Sequence, residues 1–182
     1  MKQILADKMA KFTSYNTILN IICLIILAIS VTVHGQHHQD TCPGFNSNHT
    51  VGRDYVVVSY TVWVGTDVTS EYSILVIIHQ NSSLYRVMEF ASVLDPLQYQ
   101  FTANCTAYGH YITSIGGYAE NLAAHESWLI YKTPTPPFVF NPPSKEELTP
   151  TGVDTTYVDN GEHYLFWLRN TDFLIPTTTD GQ

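Results

Sequence analysis

Ten consecutive positions, 55–64, read YVVVSYTVWV, and all but Ser59 are β-branched or aromatic. That composition predicts a strand. Residues 71–78, EYSILVII, predict a second, and the turn containing Gly65, Thr66 and Asp67 between them makes the two an antiparallel pair. The period then changes. Leu84, Val87, Met88, Ala91 and Leu94 recur at spacings of three and four, with Ser82 or Ser83 placed to cap the helix and Pro96 to stop it. Further strands are predicted over residues 99–103, 110–115, 127–131 and 162–169, and Gly116-Gly117 supplies the tight turn after the second of these. One helix laid across a mixed or antiparallel sheet is an α+β layer arrangement, and a β-grasp-like fold is the simplest that fits.

Two stretches break this pattern. Residues 133–150 contain six prolines, at 134, 136, 137, 142, 143 and 150, and predict a polyproline-like surface loop. Phe138-Val139-Phe140 in its middle is too apolar for a linker; it either packs back on the sheet or presents a partner site. At the other end, Lys2, Lys8 and Lys11 precede an apolar run over residues 21–29, with Val33-His34-Gly35 at a cleavage position. Residues 1–35 therefore read as a signal peptide. The competing reading is an uncleaved anchor, but Asn20 and Ser30 bound a core shorter than the roughly 20 residues of a spanning helix. The remaining organisation is a polar arm over 36–53, a β-domain over 54–170 and a flexible tail over 171–182.

The leader changes the charge balance. Three of the chain's 8 basic residues and one of its 16 acidic residues fall within it, leaving five against fifteen and a net charge of −10. Such a chain is ill suited to nucleic acid or anionic membranes, where affinity rests on Lys and Arg meeting phosphates. With Cys23 in the leader, Cys42 and Cys105 remain, and in an oxidising compartment two cysteines pair; free or intermolecular thiols are the alternative. Sequons at Asn48, Asn81 and Asn104 fit the same secreted, extracellular route.

No catalytic constellation accompanies this pattern. The chain has no nucleophile elbow and no phosphate loop, and His125-Glu126 is followed by Leu at 129, where a zinc protease needs histidine. An amine-and-histidine copper site at Gln36-His37-His38 is undercut by the ready cyclisation of N-terminal glutamine, so no metal site and no required cofactor is assigned. The aromatic set is richer. Tyr108, His110, Tyr111, Tyr118, Trp128 and Tyr131 lie on or beside two predicted strands that a hairpin would bring together. Flat side chains with a polar rim suit a broad amphipathic ligand, although periodicity by itself favours alternate members forming one face of the core.

The segment Tyr108-Gly109-His110-Tyr111-Ile112-Thr113-Ser114-Ile115-Gly116-Gly117-Tyr118-Ala119-Glu120-Asn121, followed by Ser127-Trp128-Leu129, resembles the C-terminal β-domain of the cobalamin carriers transcobalamin, intrinsic factor and haptocorrin. Residues 83–88, 152–158 and 161–167 extend the resemblance over about residues 54–170. It implies a secreted β-grasp-like domain that closes over a corrin from one side, with the carriers' α-helical domain absent. It also implies ligand contacts at Tyr108, Gly109, His110, Tyr111, Ile112, Trp128 and Tyr131. The chain departs from the family where the short turn after the tryptophan becomes the proline-rich segment, and where Ser127 replaces a tyrosine.

Two functions follow as expectations. One is a non-enzymatic module that binds cobalamin or a related corrinoid, alone, as a self-dimer, or with a separate α-domain chain or receptor. The other is an extracellular module that keeps the fold but docks a protein or glycan.

Overall fold

A computed structural model describes Cys42 and residues 50–174. The expected leader, the histidine pair at 37 and 38, the Asn48 sequon and residues 175–182 of the tail lie outside the described residues.

The first strand, β1 (Tyr55–Val64), pairs antiparallel with β2 (Ser70–His79) over their full length. The helix α1 (Leu84–Leu94) follows, with the Ser83 hydroxyl accepting the Arg86 N–H as N-cap. Leu84, Val87, Met88 and Ala91 are buried, whereas Leu94, the last position of the predicted stripe, is exposed. Pro96 does not simply end the helix. It opens a second short one, α2 (Pro96–Tyr99), whose first turn loses nothing by the missing N–H and whose cap is the Asp95 carboxylate. Tyr99, expected on a strand, is therefore the buried end of a helical turn.

Five strands follow: β3 (Phe101–Thr106), β4 (Gly109–Ile115), β5 (Tyr118–Ala119), β6 (Glu126–Thr133) and β7 (His163–Asn170). They divide between two sheets. A mixed four-stranded sheet has the order β2-β1-β7-β6, with β1 and β7 parallel at its centre, and a three-stranded sheet has the order β3-β4-β5. The architecture is α+β, one main helix against a mixed sheet.

Alternation along β1 explains the core. Val56, Val58, Tyr60 and Val62 point to the face covered by α1 and by Ile112 and Ile115 of β4, where Phe166 and Trp128 join them. The opposite face carries a second cluster of Trp63, Tyr131, Leu165 and Trp167. Its cover comes from the proline-rich segment. Val139 and Leu148 pack on that cluster, Leu148 bridges to Tyr131, and the Thr149 N–H donates to the Ile130 carbonyl at 2.9 Å. The segment is thus more than a surface loop: it shields one sheet face and closes the β6 edge. Phe138 and Phe140 nevertheless remain exposed, edge to face at 5.3 Å.

Cys42 and Cys105 form a disulfide with Cα atoms 5.1 Å apart. Cross-linking positions 63 residues apart removes chain entropy worth about 4 kcal/mol from the unfolded state. At the other end, Thr171 ties the beginning of the expected flexible tail back to His125, through a backbone bond at 2.8 Å and a side-chain bond at 2.9 Å to the same carbonyl.

Candidate functional site

The strand β4 begins in a tight corner. The Thr106 hydroxyl donates to the Gly109 carbonyl at 2.8 Å and accepts the Tyr108 N–H at 3.1 Å, so residues 106–109 fold back on themselves. Gly109 has φ +102°, and a Cβ built there falls 2.4 Å from Asp154 Oδ2. Only glycine allows that carboxylate so close. Asp154 then accepts the His110 backbone N–H at 2.5 Å and lies 2.9 Å from His110 Nδ1. Their side chains are only 14% and 7% exposed. The other side of the imidazole is taken by Tyr85 of α1, stacked at 3.9 Å between centroids. His110 is thereby a bracket between strand, helix and the closing loop, with Asp154 as its acidic partner.

Glu120 has a different role. It accepts the Tyr111 hydroxyl at 2.5 Å, across the β4–β5 turn. Burial, then the bond and charge of Glu120, push the Tyr111 phenol above its usual range. Tyr118 shifts the other way, its phenol lowered by hydrogen bonds with Ser70 and Tyr72. The turn between them depends on Gly116, at φ +58°, where a Cβ would meet the Gln98 carbonyl oxygen at 2.6 Å.

The predicted site residues therefore separate into two groups. Tyr108, 90% exposed at the corner, and Tyr111, 42% exposed beside it, face outward from β4. Gly109, His110 and Ile112 face inward as supports. Trp128 and Tyr131 do not share the outward surface. The expected hairpin between 110–115 and 127–131 does not form, because β4 pairs with β3 and β5, while β6 pairs with β7 in the other sheet. Trp128 is buried in the main core and Tyr131 in the second cluster, on opposite faces of β6. Three residues apart on a strand places them so.

Two other features bear on chemistry. Ligand atoms of Cys42, Cys105 and His110 lie within 4.8 Å of one another, but both sulfurs are committed to the disulfide and cannot act as thiolates. A cavity of about 380 Å³ lies instead beside the proline-rich segment, lined by Lys132, Glu146, Glu147, Thr151, Tyr157 and Tyr164 among others. None of the predicted ligand residues borders it. Its lysine pairs with Glu162, which also accepts the Tyr164 hydroxyl at 2.8 Å. Sequence reasoning missed Tyr85 and Asp154 as the groups that hold β4, because stacking and carboxylate bonds between distant segments leave no periodic signal. Gly109, carrying a left-handed φ next to a histidine, was the one local sign.

No family model matches the chain. Over 111 residues, 61% of its length, it is 35% identical to the uncharacterized protein CG3556 of Drosophila melanogaster, of which the aligned part is 18%. Among solved structures, haptocorrin in complex with Cbi superposes with a TM-score of 0.52 and 24% identity, over 68% of this chain and 26% of that one. The likeness is one of fold, and the chain spans only a minor part of either protein.

Among the described residues, no helix is long and apolar enough to cross a membrane.

Proposed function

We propose that this is a secreted ligand-binding domain whose ligand is a corrinoid, taken on the outward side of β4 and the β4–β5 turn. The observation that carries the reading is the division of labour on β4: its inward side is locked by Asp154 and Tyr85, while Tyr108 and Tyr111 stand free of the core. A rigid strand presenting two phenols can stack on and hydrogen-bond to a broad ligand without paying to order a loop. The resemblance of residues 108–121 to the cobalamin carriers supports the same ligand class, as does a shared fold with haptocorrin, solved as a complex with Cbi. The sheet order β2-β1-β7-β6 with a parallel centre supports a β-grasp-like reading of the domain. The disulfide, and exposed sequon asparagines at 81 and 104, support the extracellular setting. By itself this outward face covers one side of the ligand.

Calorimetric titration of the full chain with cyanocobalamin and aquacobalamin tests this. Binding that is abolished in Tyr108→Ala/Tyr111→Ala, with the melting curve retained, is the expected result. Absence of heat with either corrinoid overturns the reading. The exposed Phe138 and Phe140 pair then supports the second reading, a protein-docking module.

A further inference from the structure

The two edges of the four-stranded sheet are treated differently. The β6 edge is closed by residues 148–149 of the same chain. The β2 edge has no strand beside it among the described residues, although β2 is ten residues long and pairs with β1 without a bulge. It also lacks the usual protections: its sequence SEYSILVIIH has no proline and no lysine.

Its exposed side is apolar. Leu75 and Ile77 are 66% and 63% exposed, and with Val57 and Tyr55 of β1 they form a patch on the Trp63 face of the sheet, beyond the part that the proline-rich segment covers. The hydrogen-bond phase is also fixed. Gln80 donates its N–H to the Asp54 carbonyl at 2.8 Å, so even-numbered residues of β2 bond inward to β1. Odd-numbered residues, 71 to 79, present theirs outward.

We propose that this edge binds a second copy of the chain, antiparallel, about a two-fold axis through Leu75. In that register Leu75 stands opposite itself and Ser73 opposite Ile77. At each end Glu71 stands opposite His79, a carboxylate against an imidazole. Every opposed pair is odd with odd, so all outward N–H and carbonyl groups from 71 to 79 find partners. The edge is self-complementary in hydrogen bonding, in apolar surface and in its end pairs of carboxylate and imidazole, as an isologous contact requires. The product is one continuous eight-stranded sheet. Glu71 already accepts the Trp63 indole N–H at 3.0 Å, which aims its carboxylate along this face.

The test is the mass in solution, by sedimentation and light scattering at micromolar to submillimolar concentration. The protein is enzymatically deglycosylated, so that a glycan at Asn81, just past the strand, does not decide the result. The wild type is expected to be a dimer. Leu75→Lys sets two ammonium groups against each other on the axis and is expected to give a monomer with an unchanged melting curve, because the side chain is exposed. Leu75→Cys is expected to form a covalent dimer under mild oxidation, whereas Leu97→Cys, exposed elsewhere, does not. A wild type that stays monomeric throughout the range overturns the proposal, as does a dimer indifferent to Leu75→Lys.

Discussion

Replacing Asp154 by alanine isolates what holds β4 in place. The carboxylate accepts two bonds, at 2.5 Å from the His110 backbone and 2.9 Å at its Nδ1, in surroundings that leave the pair 14% and 7% exposed. A hydrogen bond to a charged group contributes about 1.5–3 kcal/mol, and a buried donor left without a partner costs about 1–3 kcal/mol. The two ranges describe the same loss and do not add; with some water admitted at the rim, the expected destabilisation is about 3 kcal/mol. Asp154→Asn keeps an acceptor for the backbone N–H, and its expected cost is about 1 kcal/mol. Urea unfolding measures both, and amide hydrogen exchange at His110 reports the strand itself, with protection falling in the alanine variant. A change for Asp154→Ala under about 0.5 kcal/mol, the usual size of a surface substitution, would show that the carboxylate does not brace β4. The outward side of β4, proposed as the corrinoid surface, would then lack a rigid support.

Two further outcomes follow from neighbouring contacts. Burial raises the Glu162 pKa, but hydrogen bonds from Lys132, the Asp159 backbone and Tyr164 outweigh it and leave the carboxyl below its usual range. A depressed carboxylate stabilises the fold above its unfolded pKa of about 4.3 and loses that contribution as the pH falls through the folded value. Unfolding free energy measured across this acid range should therefore decline more steeply for the wild type than for Glu162→Gln. Separately, Gly116→Ala forces a Cβ to 2.6 Å from a backbone oxygen, whereas Gly117→Ala meets open space at a similar positive φ. Thermal melts should show the first costing more than 2 kcal/mol and the second about 1 kcal/mol.

The local elements were legible because their signals are local. The run at 55–64, the stripe from Leu84 to Ala91 and the Ser83 cap each state a period or a cap within a few residues, and the structure has the strand and the helix there. What depends on distant segments was not legible. Trp128 and Tyr131 read as members of one aromatic surface, yet β6 joins the sheet of β7, and burial then sends the two rings to opposite cores. The proline-rich stretch announced irregular backbone, and its Phe138-Val139-Phe140 run left open packing on the sheet or a partner site. Only Leu148 and Val139 meeting the Trp63–Trp167 cluster reveal it as a cover. At the candidate site, Tyr108 and Tyr111 were singled out by type and by the resemblance, whereas the supports of β4, Asp154 and Tyr85, come from far along the chain and carry no spacing that points to it.

The parallel pairing of β1 with β7 reaches beyond architecture to the order of events in folding. Residue 59 lies beside residue 163, and this pair is the middle of the sheet, not its margin. The hairpin of β1 and β2 can form as soon as both are made, but a lone hairpin is marginal in water, and one face of its apolar strands waits for Phe166. The central sheet is complete only once β7 is present, and contacts so distant in sequence make for slow folding. In the interval a newly made chain exposes YVVVSYTVWV and SEYSILVIIH side by side, so chaperone demand and aggregation should both fall sharply once position 170 has been reached.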